Sequence, residues 1–380
     1  MAIIKLMTRA PTAQRHLSHG KTVNLGGYYT NPRLVGIAYA LLARHAIPLT
    51  PATCLLDTSC GYGSFLSHPA AAAARLTGAD IDPQALALAR LEVPAARFIR
   101  RNGLLPAARK AYKIPARAPL VIVGNPPYND LTALSGRAVK KGEASPHVVA
   151  PRYKSRDLGL SFMRAYADIA PDFVCVLHPL SYLIKKTNFT ALKTFARSYA
   201  LLDAVVVSSA EFTGTARGDA CFPIAVALYA RRAGGMDWEH VRQFAFKTDC
   251  GKTFRVADFT PLCDYVDFYP NAKKVPLADT VARFHTLRDI NALRRNRAFV
   301  DTDGPNTVRI TPAALPYYVY AAEFKRRIAH LPYYLGNFPV FIDHAAFEKI
   351  KDCFETCAAP DNSKRIDAYF RQLLGEHRVP

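Results

Sequence analysis

Short apolar segments of strand length alternate with segments of helical periodicity up to about residue 232. Apolar residues at 34, 37, 38, 41 and 42 have the spacing of one helix face, and residues 120–124 are apolar throughout, as in a buried parallel strand. This alternation predicts an α/β doubly wound sheet of about seven strands. The predicted strands are 53–57, 78–81, 96–100, 120–124, 173–178, 204–207 and 224–229, and the predicted helices are 32–46, 64–76, 83–91, 157–169 and 188–199.

The regular alternation stops near residue 232, and the glycine-containing stretch 233–235 is typical of a linker. Beyond it the chain has short apolar pieces, many aromatic residues and clusters of arginine, without a regular period. We therefore expect a basic N-terminal arm at 1–25, the α/β domain at 26–232, and a second domain of mixed α+β structure at 236–380.

The chain carries 50 Lys and Arg against 30 Asp and Glu, a formal net charge of +20. Half of its residues are hydrophobic, so this charge belongs to a globular protein and not to a disordered polycation. Such an excess indicates a polyanionic partner, nucleic acid before an acidic membrane surface. No apolar run reaches the ~18–20 residues of a membrane span. The cysteines lack zinc-ligand spacing, so we expect no metal and reduced thiols in a cytoplasmic protein.

The first motif is LLDTSCGYGSFL at 55–66, in which Asp57 ends a predicted strand and precedes a glycine turn. Gly61 and Gly63 let a ligand approach the backbone closely. A dinucleotide site would need G-x-G-x-x-G, with a pyrophosphate at the start of the next helix. Here only G-x-G is present, and the preceding carboxylate suits a ligand with an amino group. S-adenosylmethionine, with its amino-acid end, fits this description, and an ordinary strand–turn–helix connection is the alternative.

Two further motifs end neighbouring strands of the predicted sheet. Asp80 ends the second strand, where a carboxylate can accept both hydrogens of a ribose diol, although a capping role is the alternative. Asp82 fits the N-cap of the helix that begins at Pro83. Asn125, in the N-P-P-Y sequence 125–128, follows the buried fourth strand. Its side-chain oxygen, the next backbone carbonyls and the aromatic face of Tyr128 suit a planar amine.

Together, D-x-x-C-G-x-G at 57–63, the acidic strand end and N-P-P-Y resemble the amino-methyltransferases that use S-adenosylmethionine. More specifically, they resemble the γ-class DNA adenine-N6 methyltransferases of restriction–modification systems. In that class a Y-Y-T-P-like segment precedes the glycine motif, as Y-Y-T-N-P does at 28–32, and a target-recognition domain follows the catalytic domain. The resemblance covers residues 26–230 or so. It implies a Rossmann-like methyltransferase sheet, double-stranded DNA as substrate, a bacterial or phage origin, and a cognate restriction endonuclease as a partner.

The resemblance also implies roles for single residues. Thr30 would lie at the methionine end of the cofactor, and Asp80 would bind the ribose. The family usually has an Asp after the third strand that contacts the adenine amine of the cofactor. Asn102 stands there in this chain, and its side-chain oxygen can still accept that hydrogen bond. The implied cofactor residues are Thr30, Asp57, Cys60, Gly61, Gly63, Asp80 and Asn102.

The N-P-P-Y segment, made of Asn125, Pro126, Pro127 and Tyr128, would be catalytic, and Tyr128 would stack on a flipped base. Phe212, after the sixth strand, is a second candidate for stacking, with a core phenylalanine as the alternative. DNA contacts are expected from the basic loop 129–156 and the arginine-rich segment 283–297, where a solvated surface is the alternative. The candidates are Lys140, Lys141, Arg152, Lys154, Arg283, Arg288, Arg294, Arg295 and Arg297.

Three other interpretations remain open. Glutamine methyltransferases that modify release factors also carry N-P-P-Y, because a glutamine amide is likewise a planar amine. The charge does not separate DNA from RNA, so an RNA or ribosomal methyltransferase is a second alternative. Because Asn102 stands where the family usually has an Asp, a DNA-binding module with a decayed enzyme fold is a third alternative. Residues 323–325 match the E-x-K half of a nuclease signature but lack a convincing P-D partner, so we expect no built-in endonuclease.

Overall fold

A computed structural model describes residues 30–128, 148–212, 221–266, 275–285, 289–304, 306–355 and 360–379. The described residues form two compact units. The first holds those up to 212 together with 224–241, and the second holds 221–223 and those from 242 onwards. The expected assignment of an arm at 1–25, a catalytic domain at 26–232 and a target-recognition domain at 236–380 stays a prediction.

The first unit contributes seven strands to its sheet, in the order β3-β2-β1-β4-β5-β7-β6. Strands β1 to β5 pair in parallel, and β7 runs antiparallel to β5. This order confirms the predicted α/β doubly wound sheet and its seven strands. The strands are β1 (Cys54–Asp57), β2 (Arg75–Asp80), β3 (Arg97–Arg100), β4 (Leu120–Gly124), β5 (Phe173–Pro179), β6 (Tyr199–Ser208) and β7 (Pro223–Arg231).

The three longest helices of the first unit begin at capping side chains. The Asn31 side chain accepts a hydrogen bond from the Leu34 N–H at 3.0 Å. Asp82 accepts from the Gln84 N–H at 2.8 Å, which confirms the predicted cap. The helices are α1 (Pro32–Arg44), α2 (Pro83–Glu92), α3 (Leu158–Ile169), α4 (Ser181–Ile184), α5 (Lys186–Ala191), α6 (Lys193–Ala196) and α7 (Trp238–Gln243), the last at the boundary between the units.

One predicted helix is wrong, and a second is interrupted and ends early. Residues 64–76 form turns and one 3-10 turn at Pro69–Ala71, and the final two residues belong to β2. Pro69 explains this, because it has no N–H to donate inside a helix and its ring crowds the preceding turn. The predicted helix 188–199 is divided between two short helices, α5 and α6, and its last residue begins β6. Here Thr190 Oγ1 donates to the Lys186 carbonyl at 2.8 Å, and Asn188 Nδ2 donates to the Ser181 carbonyl at 3.1 Å, so side chains compete for backbone acceptors.

The order of the strands fixes where a ligand can bind. The chain moves outward from β1 to β3 on one side, and then returns to place β4 beside β1 on the other. In an open α/β sheet the connections on either side of such a reversal diverge, which leaves a crevice at the carboxyl ends of the two strands. Asp57 ends β1 and Asn125 follows β4, so the sheet brings the first and third motifs to this crevice.

The second unit mixes short strands with helices around an aromatic core. Tyr320 packs its ring against Phe347, Phe354, Tyr369 and Phe370, with centroid separations of 5.1–5.8 Å. Its strands are β8 (Phe246–Thr248), β9 (Thr253–Phe254), β10 (Ala282–His285) and β11 (Thr307–Ile310), paired antiparallel as β8–β9 and β10–β11. Its helices are α8 (Ile290–Arg295), α9 (Leu315–Arg326), α10 (His344–Glu348), α11 (Lys351–Glu355) and α12 (Pro360–Leu374).

The described residues contain no disulfide, no metal-ligand cluster and no helix that could span a membrane. Their seven cysteines are free thiols. No three His, Cys, Asp or Glu side chains in this part of the chain are arranged to hold a metal ion. None of its helices is both long enough and apolar enough to cross a membrane.

Candidate active site

Two carboxylates hold the glycine turn that follows β1. Asp57 Oδ1 accepts from the Ser59 N–H at 3.0 Å, and Asp80 Oδ2 accepts from the Gly61 N–H at 2.9 Å. Gly61 and Gly63 have φ values of +49° and +85°, a backbone region that favours glycine. The predicted residues of the first two motifs therefore form one structure, in which Asp80 ties the turn to the end of β2.

Asp57 is buried and Asp80 is partly buried. Asp57 is only 2% exposed, and this burial raises its pKa to about 8, although the Ser59 N–H lowers it and nearby Asp80 raises it further. Burial also raises the pKa of Asp80. A cationic ligand beside these groups would favour their ionised forms, so the site is suited to an ammonium group. Burial raises the pKa of the Cys60 thiol as well, which makes it a packing residue and a poor nucleophile.

Gly124, at the end of β4, lies against Asp57. A Cβ at this position would be 2.8 Å from Asp57 Oδ1, and the backbone φ of +153° is one that other residues rarely adopt. The close approach joins the strand before N-P-P-Y to the carboxylate of the first motif. Gly124 therefore belongs to the site, and the sequence analysis missed it, although a glycine directly before that motif was a signal for it.

We expect Gly124→Ala to destabilise the protein by about 1–3 kcal/mol, because the methyl group collides with a buried carboxylate on a strained backbone. Gly36→Ala in α1 is the matched control, since a Cβ there meets nothing within 4 Å. Alanine in a helix is preferred to glycine, so the control is expected to stabilise the protein by about 0.5–1 kcal/mol. Urea unfolding of both variants checks this. Equal stabilities for the two would show that Gly124 has room for a side chain.

Asn125 offers an acceptor that nothing in the described structure uses. Its Nδ2 donates to the hydroxyl of Thr30 at 3.1 Å, and Thr30 is itself 6% exposed. Its Oδ1 is buried and has no hydrogen-bond partner. A buried acceptor without a partner costs about 1–3 kcal/mol, so it is rarely retained without a reason. Thr30 orients the amide, and the free carbonyl oxygen is available to an N–H group of a ligand.

The position of Thr30 is itself fixed by neighbouring contacts. The next residue, Asn31, donates from Nδ2 to the Glu211 carbonyl at 2.8 Å, and Arg33 forms an ion pair with the Glu211 side chain. Glu211 belongs to the turn after β6 and directly precedes Phe212. Phe212 is 2% exposed, so its ring is packed in the core arrangement named as the alternative. Its stacking on a base stays a prediction.

Tyr128, the last residue of the N-P-P-Y segment, lies at the start of α3. A Cβ on Gly159 would be 3.1 Å from the Tyr128 Cβ and would collide with the Tyr182 hydroxyl. That hydroxyl donates to the Asp157 carboxylate, which also caps α3 by accepting from the Gly159 N–H at 2.8 Å. Tyr128 and Asn125 are partly exposed, whereas Pro126 is buried. The segment is thus anchored at its centre, with its two polar ends near the protein surface.

Asn102 uses both ends of its amide, one within its own loop and one with a residue far along the chain. Its Oδ1 accepts from the Leu104 N–H at 2.8 Å, and its Nδ2 donates to the Val148 carbonyl at 2.8 Å. An amide oxygen has two lone pairs, so one acceptor position remains for the adenine amine of a cofactor. That role stays a prediction.

The predicted DNA-contacting residues are divided between internal contacts and the surface. Arg152 pairs with Asp168 at 2.9 Å, and Arg283 pairs with Asp303 at 3.1 Å. Arg294 donates to the Ile328 carbonyl at 3.2 Å. Lys154, Arg295 and Arg297 are exposed to solvent, and Arg152 is also exposed despite its ion pair. The candidates outside the described residues are Lys140, Lys141 and Arg288.

The E-x-K residues have structural partners within the second unit. Glu323 is 8% exposed and pairs with Arg326 and with Arg327, the latter at 2.8 Å. Lys325 donates to the Asn296 carbonyl. These contacts explain the residues as parts of the α9 packing.

Ser59 was not predicted as a site residue. Its N–H binds Asp57, and its hydroxyl oxygen is buried without a hydrogen-bond partner. Ser59 lies in the turn that Asp57 and Asp80 hold, so a ligand bound at this turn could supply the missing hydrogen-bond partner. No sequence pattern distinguished this serine, because its state depends on how the turn folds.

Known protein structures resemble this chain only distantly. No family model matches the chain, and no curated protein matches it. A putative class I S-adenosylmethionine-dependent methyltransferase from Listeria monocytogenes is 12% identical, with a TM-score of 0.39 over 58% of this chain and 65% of that protein. The type IIG restriction endonuclease BpuSI is 14% identical, with a TM-score of 0.39 over 57% of this chain and 26% of its own.

A third similar structure is the 23S rRNA methyltransferase ErmE, which is 16% identical, with a TM-score of 0.33 over 55% of this chain and 70% of its own. The chain thus spans less than two thirds of the Listeria protein and of BpuSI. The strand order described above is what assigns this chain its Rossmann-like sheet.

Proposed function

We propose that this protein transfers a methyl group from S-adenosylmethionine to the N6 amine of a flipped adenine in a specific duplex DNA sequence, as the modification enzyme of a restriction–modification system. The observation that supports this most directly is the buried, unpartnered Oδ1 of Asn125, at the crevice between the carboxyl ends of β1 and β4. A hydrogen-bond acceptor for the target amine would then lie at the carboxyl end of β4. The Asp57 carboxylate, which would hold an ammonium-bearing cofactor, lies beside it, at the end of the adjacent strand β1.

The residues of the crevice fit S-adenosylmethionine. Asp57 would hold its ammonium group and Asp80 its ribose, and Asn102 would accept from its adenine amine. The glycine turn admits a ligand, because a Cβ on Gly61 would meet no atom within 4 Å. The cofactor supplies an electrophilic methyl group on a sulfonium.

Asn125 and the Pro126 carbonyl would act on the target amine. The lone pair of the adenine N6 is delocalised into the ring, so the amine is a poor nucleophile. Two acceptors that bind both N–H groups favour a pyramidal nitrogen, whose lone pair is then free to attack the methyl group. This geometry exists mainly in the transition state, so stabilising it raises the rate of transfer. Direct displacement would form the N6–methyl bond as the methyl–sulfur bond breaks, with the sulfur leaving as a neutral thioether and one N6 proton lost to solvent. It needs no covalent enzyme intermediate, and the N-P-P-Y segment contains no nucleophilic cysteine.

The target amine must leave the duplex to reach such a site. Flipping costs a few kcal/mol, and stacking of the base on Tyr128 would return about 1–3 kcal/mol of it. The +20 net charge supplies phosphate contacts that favour the bound duplex.

The binding of cofactor is expected to release about one proton between pH 6 and 7. The pKa of Asp57 is about 8 in the free protein, so the carboxyl is protonated there, and the bound ammonium would ionise it. The affinity is then expected to rise by up to about tenfold per pH unit as the pH approaches 8. Calorimetry in two buffers of different ionisation enthalpy measures the released proton. Binding by the wild type without proton release would contradict this role for Asp57.

Labelled S-adenosylmethionine, offered with duplex DNA, ribosomal RNA and protein in separate reactions, tests the substrate class. We expect label in DNA. Label in RNA alone would favour the RNA methyltransferase alternative, and label in a protein glutamine alone would favour the release-factor type. Either result would overturn the proposal.

A further inference from the structure

The second unit contains a small cavity of about 210 Å³ whose charged lining is mainly basic. At ~30 Å³ per water, this volume holds a phosphoryl group together with a few waters. Arg327, Arg371, Arg378 and His330 line it, and Asp367 is the carboxylate among its lining residues.

One arginine of the cavity is already neutralised. Arg327 pairs with Glu323 at 2.8 Å and with Asp367, and its guanidinium lies over the ring of Phe370 at 4.7 Å. Asp367 is therefore engaged by Arg327, so it is not free to balance another cation. Arg327 and Asp367 form a fixed wall of the cavity.

The other two arginines have no carboxylate partner among the described residues. Arg371 is exposed near the end of α12, and Arg378 follows the 3-10 turn Gly375–His377. The Val379 N–H donates to the His330 carbonyl at 2.9 Å, which holds the segment of Arg378 beside His330. The Nδ1 of His330 is buried without a hydrogen-bond partner. Two unpaired guanidinium groups and a histidine with an unused nitrogen therefore line the same cavity.

The basic lining is a property of this cavity and not of every cavity in the second unit. A second cavity of this unit is lined by Asp258, Asp343 and Glu376, with no lysine or arginine among its lining residues. The two cavities thus differ in sign, although Leu374 lines both.

We propose that the basic cavity is a phosphoryl-binding site, with Arg371 and Arg378 as its principal ligands. Guanidinium groups bind phosphate oxygens through paired, charge-assisted hydrogen bonds. Two sources share this chemistry, a backbone phosphate of the nucleic acid and a small phosphorylated molecule. The first source rests on the proposed function, whereas the site itself does not.

Binding of inorganic phosphate to the full chain tests the site, with chloride at equal ionic strength as the reference ion. We expect saturable binding by calorimetry, which Arg371→Gln weakens at least tenfold. Lys364→Gln is the matched control, because it removes one exposed cation from the same helix outside the cavity. No saturable phosphate binding, or equal binding by the two variants, would overturn the proposal. Thermal unfolding without phosphate verifies that both variants are folded.

Duplex DNA then identifies the source. If the site holds a backbone phosphate, Arg371→Gln is expected to reduce the slope of log affinity against log salt by about one, and Lys364→Gln is not. Unchanged DNA binding by Arg371→Gln, with phosphate binding lost, assigns the site to a small phosphorylated molecule. Neither phosphate nor DNA binding requires methyl transfer, so failure of this site and failure of the proposed enzyme activity are separate results.

Discussion

Asn125→Ala is expected to lower the rate of methyl transfer by at least about 10²–10³-fold, the usual effect of removing one group that stabilises a buried transition state. The variant loses the unpartnered Oδ1, while the carboxylates that would hold the cofactor are untouched. Cofactor affinity is therefore expected to change little. Single-turnover rates and cofactor titration by calorimetry measure the two effects separately.

Asn188→Ala is the control for loss of an asparagine amide, because Asn188 bonds to the Ser181 carbonyl and not to a predicted site residue. It is expected to retain the wild-type rate. If Asn125→Ala loses cofactor binding while it still binds and flips DNA, then Asn125 belongs to the cofactor pocket, and its role at the target amine is wrong.

Asp57→Asn is expected to weaken cofactor binding by about 10²–10³-fold, because it removes the charge that would pair with the ammonium group in a buried site. Glu92→Gln, at the exposed end of α2, makes the same change of charge outside the crevice and is expected to bind normally. Calorimetric titration of the two variants measures this. Equal affinities would show that Asp57 does not contact the cofactor.

The same substitution has an expected effect on stability. The pKa of Asp57 rises from 3.8 to about 8 on folding, so its favourable contribution is complete below about pH 4 and is lost as the pH rises through 8. At pH 9, Asp57→Asn without cofactor should therefore be at least as stable as the wild type. Thermal unfolding at pH 5 and pH 9 checks this. A larger deficit of the variant at pH 9 than at pH 5 would contradict the raised pKa.

The sequence predicted the sheet well because its strands are short and apolar. Leu120–Gly124 matches its predicted range, since a fully buried strand needs apolar residues on both faces. The helix predicted at 64–76 failed where the local signal is mixed, because the alanine run 70–74 favours a helix and Pro69 opposes one. Local periodicity therefore sufficed for the strands, and the connections depended on single residues.

The site could be predicted only in part. The motifs identified Asp57, Asp80 and Asn125, and the strand order placed them at one edge of the sheet. The approach of Gly124 to Asp57 depends on the pairing of β1 with β4, which periodicity does not specify. The basic cavity joins Arg327 and His330 to residues of α12 and the segment after it, so it was equally hidden from the sequence.

Nucleoside analysis of duplex DNA after incubation with S-adenosylmethionine tests the central claim most directly. The account predicts N6-methyladenine at a defined sequence in the wild-type reaction and essentially none with Asn125→Ala. The Asn188→Ala reaction should match the wild type. Unmodified DNA, or modification confined to a ring carbon, would contradict an exocyclic adenine amine as the acceptor at the Asn125 carbonyl.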